Sequence, residues 1–348
     1  MRPSPRAPVP SFLIVCSEGP SLGAGHVSRQ IEIARKLQKL GHSILFLGSF
    51  SKKSQRKIRN IRNSSIVLIE GTSTQAQIRE AVVQVASSLP DPWLLIDDYR
   101  IFKELGTNFS HLFPKQIHFV DGDMGWYGPA LWVNSGKAQA KDADPHFAER
   151  QICGLDASVV RREIRITGLL RILVPKFLRN RVLVTFGGSD PDDLSAKYVK
   201  FHVQTKLPLL CNVVLGPAYR GSLETGDFLG GKVKVRRGPI HFYIALATCK
   251  FAIGAAGVSS FERAKIGVSS LNFVLADNQR EIAKMLVDLR LAEHCDQNFD
   301  TEFANHLVSF SSNPSLIKSM EKRGKKAEIG AGPKNLISWI SNYERCHK

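Results

Sequence analysis

Twice along this chain a short, unbroken apolar run gives way to a glycine-bearing loop and then to a stretch with helical spacing. No other feature limits the fold as much. The first run, 12–16, leads into Leu22-Gly23-Ala24-Gly25-His26, after which Ile31, Ala34, Leu37 and Leu40 line one face as far as Gly41. The second, 181–186, leads into Gly187-Gly188-Ser189-Asp190-Pro191 and a helical pattern through Leu194, Tyr198 and Val199. Strands that are apolar at every position are buried on both faces, as in parallel sheets covered by helices. Further runs at 43–48, 65–70, 93–97, 117–121 and 131–134, then at 212–215, 250–253 and 271–275, predict an α/β chain that restarts near its middle.

At 348 residues the chain can bury two separate cores. The restart predicts an N-terminal Rossmann-like domain over 1–165 and a C-terminal one over 166–348. The basic stretch 165–181, with Pro175 inside it, is the expected linker. Two such halves place their ligands in a crevice at the carboxyl ends of both sheets.

Charge narrows the range of partners. Lys and Arg number 48 against 31 Asp and Glu, a net +17, which suits nucleic acid, anionic lipid or a phosphorylated substrate. Basic residues peak at 52–62, at 161–181 and at 322–326. Aromatic residues are not interleaved with them and no nucleic-acid motif is present, so nucleic acid is not expected. Peripheral contact of the basic surface with an anionic membrane stays open. The six cysteines have no paired spacing and the ten histidines are scattered, so neither a structural metal nor a disulfide framework is expected. No run approaches the ~20 apolar residues of a spanning helix, and 11–16 is too short for a signal-peptide core. The expected location is the cytoplasm.

Four loops have residues suited to chemistry. In Gly23-Ala24-Gly25-His26-Val27-Ser28-Arg29 the glycines admit a ligand to the backbone and the helix start offers free N–H groups to an anion, although a tight turn fits equally. His26 would project from that helix start, whose dipole favours a neutral imidazole able to act as base. Gly187, Gly188 and Ser189 read either as a phosphate cradle or as a turn with a helix cap. The junction Gly254-Ala255-Ala256-Gly257-Val258-Ser259-Ser260-Phe261-Glu262-Arg263 offers N–H groups and hydroxyls to a diphosphate, and Glu262 to ribose hydroxyls or to solvent. Ala276-Asp277-Asn278-Gln279 lies between a strand and a helix. Asp121-Gly122-Asp123 and Asp97-Asp98 mimic metal-binding carboxylate pairs, but both end strands and no metal is expected at either.

In their order and spacing these loops resemble one family, the sugar-nucleotide hydrolase of pseudaminic acid biosynthesis. That enzyme removes UDP from UDP-2,4-diacetamido-2,4,6-trideoxy-β-L-altropyranose and is similar to GT-B glycosyltransferases. The resemblance runs from about Phe12 to Ile340. It rests on the Gly23–Arg29 loop, Leu95-Ile96-Asp97-Asp98-Tyr99, Val133-Asn134, Val159-Val160-Arg161-Arg162-Glu163, the 186–191 loop, the 257–263 segment and Ala276–Gln279. Two segments depart from the family pattern: Cys16-Ser17-Glu18-Gly19-Pro20, and the stretch between Asp121 and Asn134.

The resemblance implies a GT-B-like fold, with the two Rossmann-like domains facing each other across a cleft and a C-terminal helix around 335–343 returning to the first domain. His26 would be the general base that activates water at the anomeric carbon, and Tyr99 and Asn278 would surround the sugar and the water. Substrate contacts would come from Gly23, Gly25, Arg29, Asn134 and Arg161 and from Gly187, Gly188 and Ser189. Gly257, Ser259, Ser260, Glu262 and Gln279 would hold UDP. No cofactor is implied. The expected reaction is hydrolysis of a UDP-linked acetamido-deoxy sugar. The alternatives are a GT-B glycosyltransferase passing the sugar to a glycan, lipid or protein acceptor, and a non-catalytic nucleotide-sugar-binding protein.

Overall fold

The computed structural model describes residues 11–19, 25–98, 100–101, 112–120, 131–136, 150–295 and 298–347. These fall into two compact units. One comprises the described residues up to Ser135 with 150–153 and 331–347; the other comprises 154–330 with Gly136.

The first unit is a seven-stranded, wholly parallel sheet. Its strands are β1 (Ser11–Cys16), β2 (Ser43–Gly48), β3 (Ser64–Leu68), β4 (Trp93–Asp97), β5 (Gln116–Phe119), β6 (Leu131–Asn134) and β7 (Gln151–Cys153), in the order β3-β2-β1-β4-β5-β6-β7. Leu13, Ile14, Leu94 and Leu95 are fully buried, as strands covered on both faces require. Helix α1 (Gly25–Lys39) buries Val27, Ile31, Ala34 and Leu37 along one stripe. It stops where the sequence predicts: Gly41 takes φ +90°, and the His42 N–H donates back to Leu37 O at 3.3 Å. Helices α2 (Lys52–Arg59) and α3 (Gln75–Ser87) follow; Thr74 and Gln77 form a capping box at the start of α3. The final helix, α11 (Gly332–Cys346), packs in this unit through Trp93, whose indole N–H donates to Glu344 at 2.9 Å and whose ring meets Tyr343 edge-on.

The second unit repeats the plan. It contains α4 (Glu163–Leu173), β8 (Arg181–Thr185), α5 (Leu194–Thr205), β9 (Leu210–Leu215), β10 (Gly226–Phe228), β11 (Val233–Arg237), α6 (Pro239–Thr248), β12 (Cys249–Ala255), α7 (Val258–Lys265), β13 (Ser270–Phe273), α8 (Arg280–Asp288), β14 (Glu293–Cys295), α9 (Thr301–Ser311) and α10 (Pro314–Lys326). The sheet order is β10-β11-β9-β8-β12-β13-β14, and only β10 runs antiparallel to its neighbour. Phe186, Tyr198, Phe273 and Phe303 form an aromatic centre between the sheet and α5 and α9.

The stretch 165–181, expected as a linker, is different here. It holds most of helix α4, a 3-10 turn at Lys176–Leu178 and the start of β8, all inside the second unit, and the units divide just after Cys153. Pro175 stands after α4 ends, where it cannot break the helix.

Candidate active site

In each sheet the strand order reverses at one point, and ligands of doubly wound sheets bind beside the strand ends there. In the first unit the reversal lies between β1 and β4, which pair with Cys16 opposite Asp97. Helix α1 begins nine residues beyond Cys16 and carries His26 in its first turn.

His26 Nδ1 lies 2.7 Å from Asp97 Oδ1. The carboxylate also accepts from Arg29 Nε at 2.9 Å and Arg29 Nη2 at 2.6 Å, and from Gln30 Nε2 at 2.8 Å. Asp97 is 1% exposed and His26 8%. Burial alone would raise the pKa of Asp97. The charge of Arg29, then His26, and their hydrogen bonds outweigh it and hold the carboxyl well below the usual carboxylate range. An ionised Asp97 can only accept, so the short contact assigns a proton to Nδ1. The imidazole is thus oriented by a carboxylate, and the carboxylate is itself held by a guanidinium fork.

Asp97 therefore positions His26. As a sequence it reads only as one half of an acidic pair. Asp98 is buried too and accepts from Arg100 Nε at 2.9 Å and Nη2 at 2.6 Å, while Arg100 reaches Ser17 Oγ at 2.8 Å. The two carboxylates thus each hold an arginine. Among the described residues no three His, Cys, Asp or Glu side chains gather as a metal cluster. Glu18, in a segment where the chain departs from the family pattern, accepts from Ser51 N–H at 2.5 Å and Ser54 Oγ at 2.9 Å, at the start of α2. Gly25 opens α1, and Asn134 ends β6 as a buried side chain. Gly23, Tyr99, Asp121 and Asp123 lie outside the described residues.

In the second unit the reversal lies between β8 and β12, and the loops leaving both strands carry the expected diphosphate residues. Gly187, at φ +92°, and Gly188 face open space, with no atom near the position of a Cβ. The loop can fold this way because Gly216 ends its neighbour; a Cβ there would lie 2.2 Å from Gly188 O. Ser189 is half-buried beside them. Asp190, three residues before the N-cap Asp193, accepts from Leu194 N–H and Ser195 N–H at the start of α5, both at 2.9 Å.

Helix α7 starts after Gly257, which offers no side chain to its first-turn N–H groups. The nearest neighbour to a Cβ on Gly257 would be Gln279 Nε2 at 3.8 Å, so the loops 254–257 and 276–279 stand together. Gln279 Oε1 accepts from Leu275 N–H, and Asn278 Oδ1 is buried with no hydrogen-bond partner. Ser260 Oγ donates to Gly257 O at 2.6 Å, and Ser259 Oγ accepts from Arg263 at 3.2 Å. Arg263, buried in full, also donates to Ala255 O and Asn272 Oδ1, and burial lowers its pKa to about 10.

Glu262 is wholly buried, and its carboxylate accepts from Arg161 Nε at 2.6 Å, Nη2 at 2.5 Å and the Arg161 N–H at 3.2 Å. Both belong to the expected substrate-binding set, and here they bind each other. Arg161 also lies over the rings of Phe242 and Tyr243. The pair ties the segment before α4 to the start of α7, 101 positions apart in sequence.

No protein-family model matches the chain. An uncharacterized protein of Methanocaldococcus jannaschii is 23% identical over 281 residues, 77% of this chain; the chain spans 56% of that relative's length. Among solved structures, MurG of Acinetobacter baumannii matches with TM-score 0.63 at 15% identity, over 96% of this chain and 100% of that one. A putative UDP-N-acetylglucosamine 2-epimerase of Listeria monocytogenes matches with TM-score 0.63 at 12% identity, over 97% and 98%. The spinosyn rhamnosyltransferase SpnG, complexed with thymidine diphosphate, matches with TM-score 0.62 at 14% identity, over 95% and 100%. These likenesses show the fold: an α/β chain of the GT-B-like class, with two parallel-sheet Rossmann-like units.

Proposed function

We propose that this protein is an enzyme acting on a nucleotide sugar, and that it transfers the sugar to an acceptor hydroxyl. The observation that carries this reading is the 2.7 Å pair of His26 and Asp97 at the strand reversal of the first sheet. In the proposed step the acceptor O–H gives its proton to His26 Nε2 while its oxygen bonds to the anomeric carbon. The bond from that carbon to the diphosphate breaks, and the nucleoside diphosphate leaves with the electron pair. Asp97 stabilises the imidazolium that forms, because its charge is already in place and buried.

The second unit would hold the nucleotide. Main-chain N–H groups at Gly187–Ser189 and at the start of α7 suit a diphosphate, whose charge the α7 dipole stabilises. Two solved structures of the same fold support this choice of substrate by their names: a spinosyn rhamnosyltransferase complexed with thymidine diphosphate and a putative UDP-N-acetylglucosamine 2-epimerase. UDP is the proposed nucleotide.

A second reading, with water as nucleophile, rests on the ordered motifs from Gly23–Arg29 to Ala276–Gln279. The same residues serve both, since only the group that surrenders its proton to His26 changes. UDP release from UDP-acetamido sugars, measured with and without glycan and lipid acceptors, separates the readings. Acceptor-dependent release supports transfer, and free sugar formed without acceptor supports hydrolysis. A protein that neither binds nor turns over nucleotide sugars would overturn both.

A further inference from the structure

Helix α4 is built inside out. Ile164, Thr167 and Arg171 turn into the second unit, while Ile166, Leu169, Leu170, Ile172 and Leu173 stand in solvent. The buried side of α4 packs Ile164 into an apolar cluster with Leu183 and Phe242 and is held further by polar contacts: Arg171 donates to Cys249 O at 2.8 Å beyond the end of α6 and pairs with Glu321 at 3.1 Å. Gly168 lets the helix lie close to Ile266. The turn after α4 adds Phe177 and Leu178, and α6, packed beside α4, adds Ile240 and Ile244. Phe177 is 79% exposed and Leu173 76%. Among the described residues no other segment concentrates so many large exposed apolar side chains. A patch of this kind marks an interaction surface, because folding gains nothing from leaving it wet.

The cations that flank it in the chain are exposed: Arg162, Arg165 and Lys176, with Arg162 3.7 Å from Glu163, the only acidic side chain between 161 and 181.

We propose that this surface docks on an anionic lipid bilayer. The apolar side chains of α4 and its following turn enter the headgroup boundary, and the three cations lie against lipid phosphates. Charge decides between this occupant and a second copy of the chain. Two copies would set one group of flanking cations against another with a single acid on each side, whereas anionic headgroups neutralise every cation they meet. Insertion at the surface agrees with the helix lengths, since among the described residues no helix is long and apolar enough to cross a membrane. The proposal does not depend on the reaction proposed above.

The test is sedimentation of the full chain with vesicles of phosphatidylcholine alone and of an equimolar mixture with phosphatidylglycerol. The protein should pellet with the mixed vesicles and be released as salt rises. The triple variant Leu169→Glu, Ile172→Glu, Leu173→Glu should stay in the supernatant with its circular dichroism unchanged, because none of the three side chains belongs to the core. Replacing Arg162, Arg165 and Lys176 singly by Gln should lower partitioning roughly fivefold each, a reading that needs no change in the apolar face. The proposal fails if wild type ignores the mixed vesicles, if the Gln variants partition as wild type does, or if a folded triple-Glu variant still pellets. It also fails if sedimentation velocity shows a dimer that the triple-Glu variant dissolves, since the face would then belong to a second copy.

Discussion

The imidazole of His26 and the carboxylate of Asp97, 71 positions apart in the chain, meet at 2.7 Å beside the carboxyl ends of β1 and β4. Parallel pairing of those strands sets Asp97 opposite Cys16, and the helix that follows Cys16 brings His26 back over the same strand ends. Arg29 and Gln30, on the next turn of α1, then hold the carboxylate from the other side. The start of one helix and one strand end thus supply the proposed base, the carboxylate that orients it and the groups that hold that carboxylate ionised.

Replacing His26 by Asn keeps some hydrogen bonding toward Asp97 and removes the base. UDP affinity by calorimetry should survive, while turnover should fall by about 10²–10⁴. Turnover near the wild-type rate would reduce His26 to a structural residue.

Asp97→Asn tests the orienting role. The amide retains the shape but leaves Arg29 facing a neutral group inside the unit, and breaking a buried pair in this way costs about 3–5 kcal/mol. The melting temperature should drop, and turnover of the protein that stays folded should fall with it. A stable Asp97→Asn protein with full activity is the result that defeats this role.

The pH dependence of stability follows from two buried groups whose folded pKa values are depressed. His118, neutral because of burial, falls to about 3, so its contribution is complete above the unfolded value of about 6.5 and fades as pH drops toward 3. Asp97 behaves likewise from its unfolded value of about 3.9 downward, because the paired carboxylate must take up a proton. Urea denaturation at a series of pH values should therefore show stability declining in acid from about pH 6.5. His118→Gln should flatten the upper part of that decline, and a profile unchanged by it would count against the assignment.

Gly188→Ala and Gly257→Ala separate binding from folding. Neither glycine has positive φ, and a methyl group meets open space at Gly188 and only Gln279, at 3.8 Å, at Gly257. Melting temperatures should stay within a few degrees while UDP binding weakens about tenfold or more, since the methyl groups stand where a diphosphate would approach the N–H groups. Unchanged UDP affinity in both variants would remove the second unit's loops from the nucleotide site.

For the Arg161–Glu262 pair the informative experiment is a double-mutant cycle with Arg161→Met and Glu262→Gln. The two share three hydrogen bonds, so the stability effects should be non-additive by about 0.5–3 kcal/mol. UDP affinity should fall in both single variants and little further in the double. If only Glu262→Gln weakens UDP, the carboxylate acts on the nucleotide apart from Arg161.

The long strands were legible because a strand buried on both faces is apolar at nearly every position, and the glycines mark where the chain must turn tightly. β1, β2, β4 and β8 follow from that rule, as does the stop at Gly41. Three-residue strands such as β7, β10 and β14 have no pattern long enough to read; only the pairing of a neighbour defines them. Helix α4 escaped for the opposite reason, since most of its apolar residues point outward and Arg171 points inward.

Local sequence alone therefore determined the alternation of strands and helices, the repeated strand–loop–helix opening of both halves, and His26, Gly187 and Gly257 as residues worth singling out. Tertiary structure decided their partners. Asp97 became the orienting carboxylate of His26, and Glu262 the counter-ion of Arg161, through strand register and helix placement that bring together residues 71 and 101 positions apart. Hydrophobic spacing specifies which face of an element is buried, but an ion pair inside the fold depends on which elements become neighbours, and no local pattern contains that information.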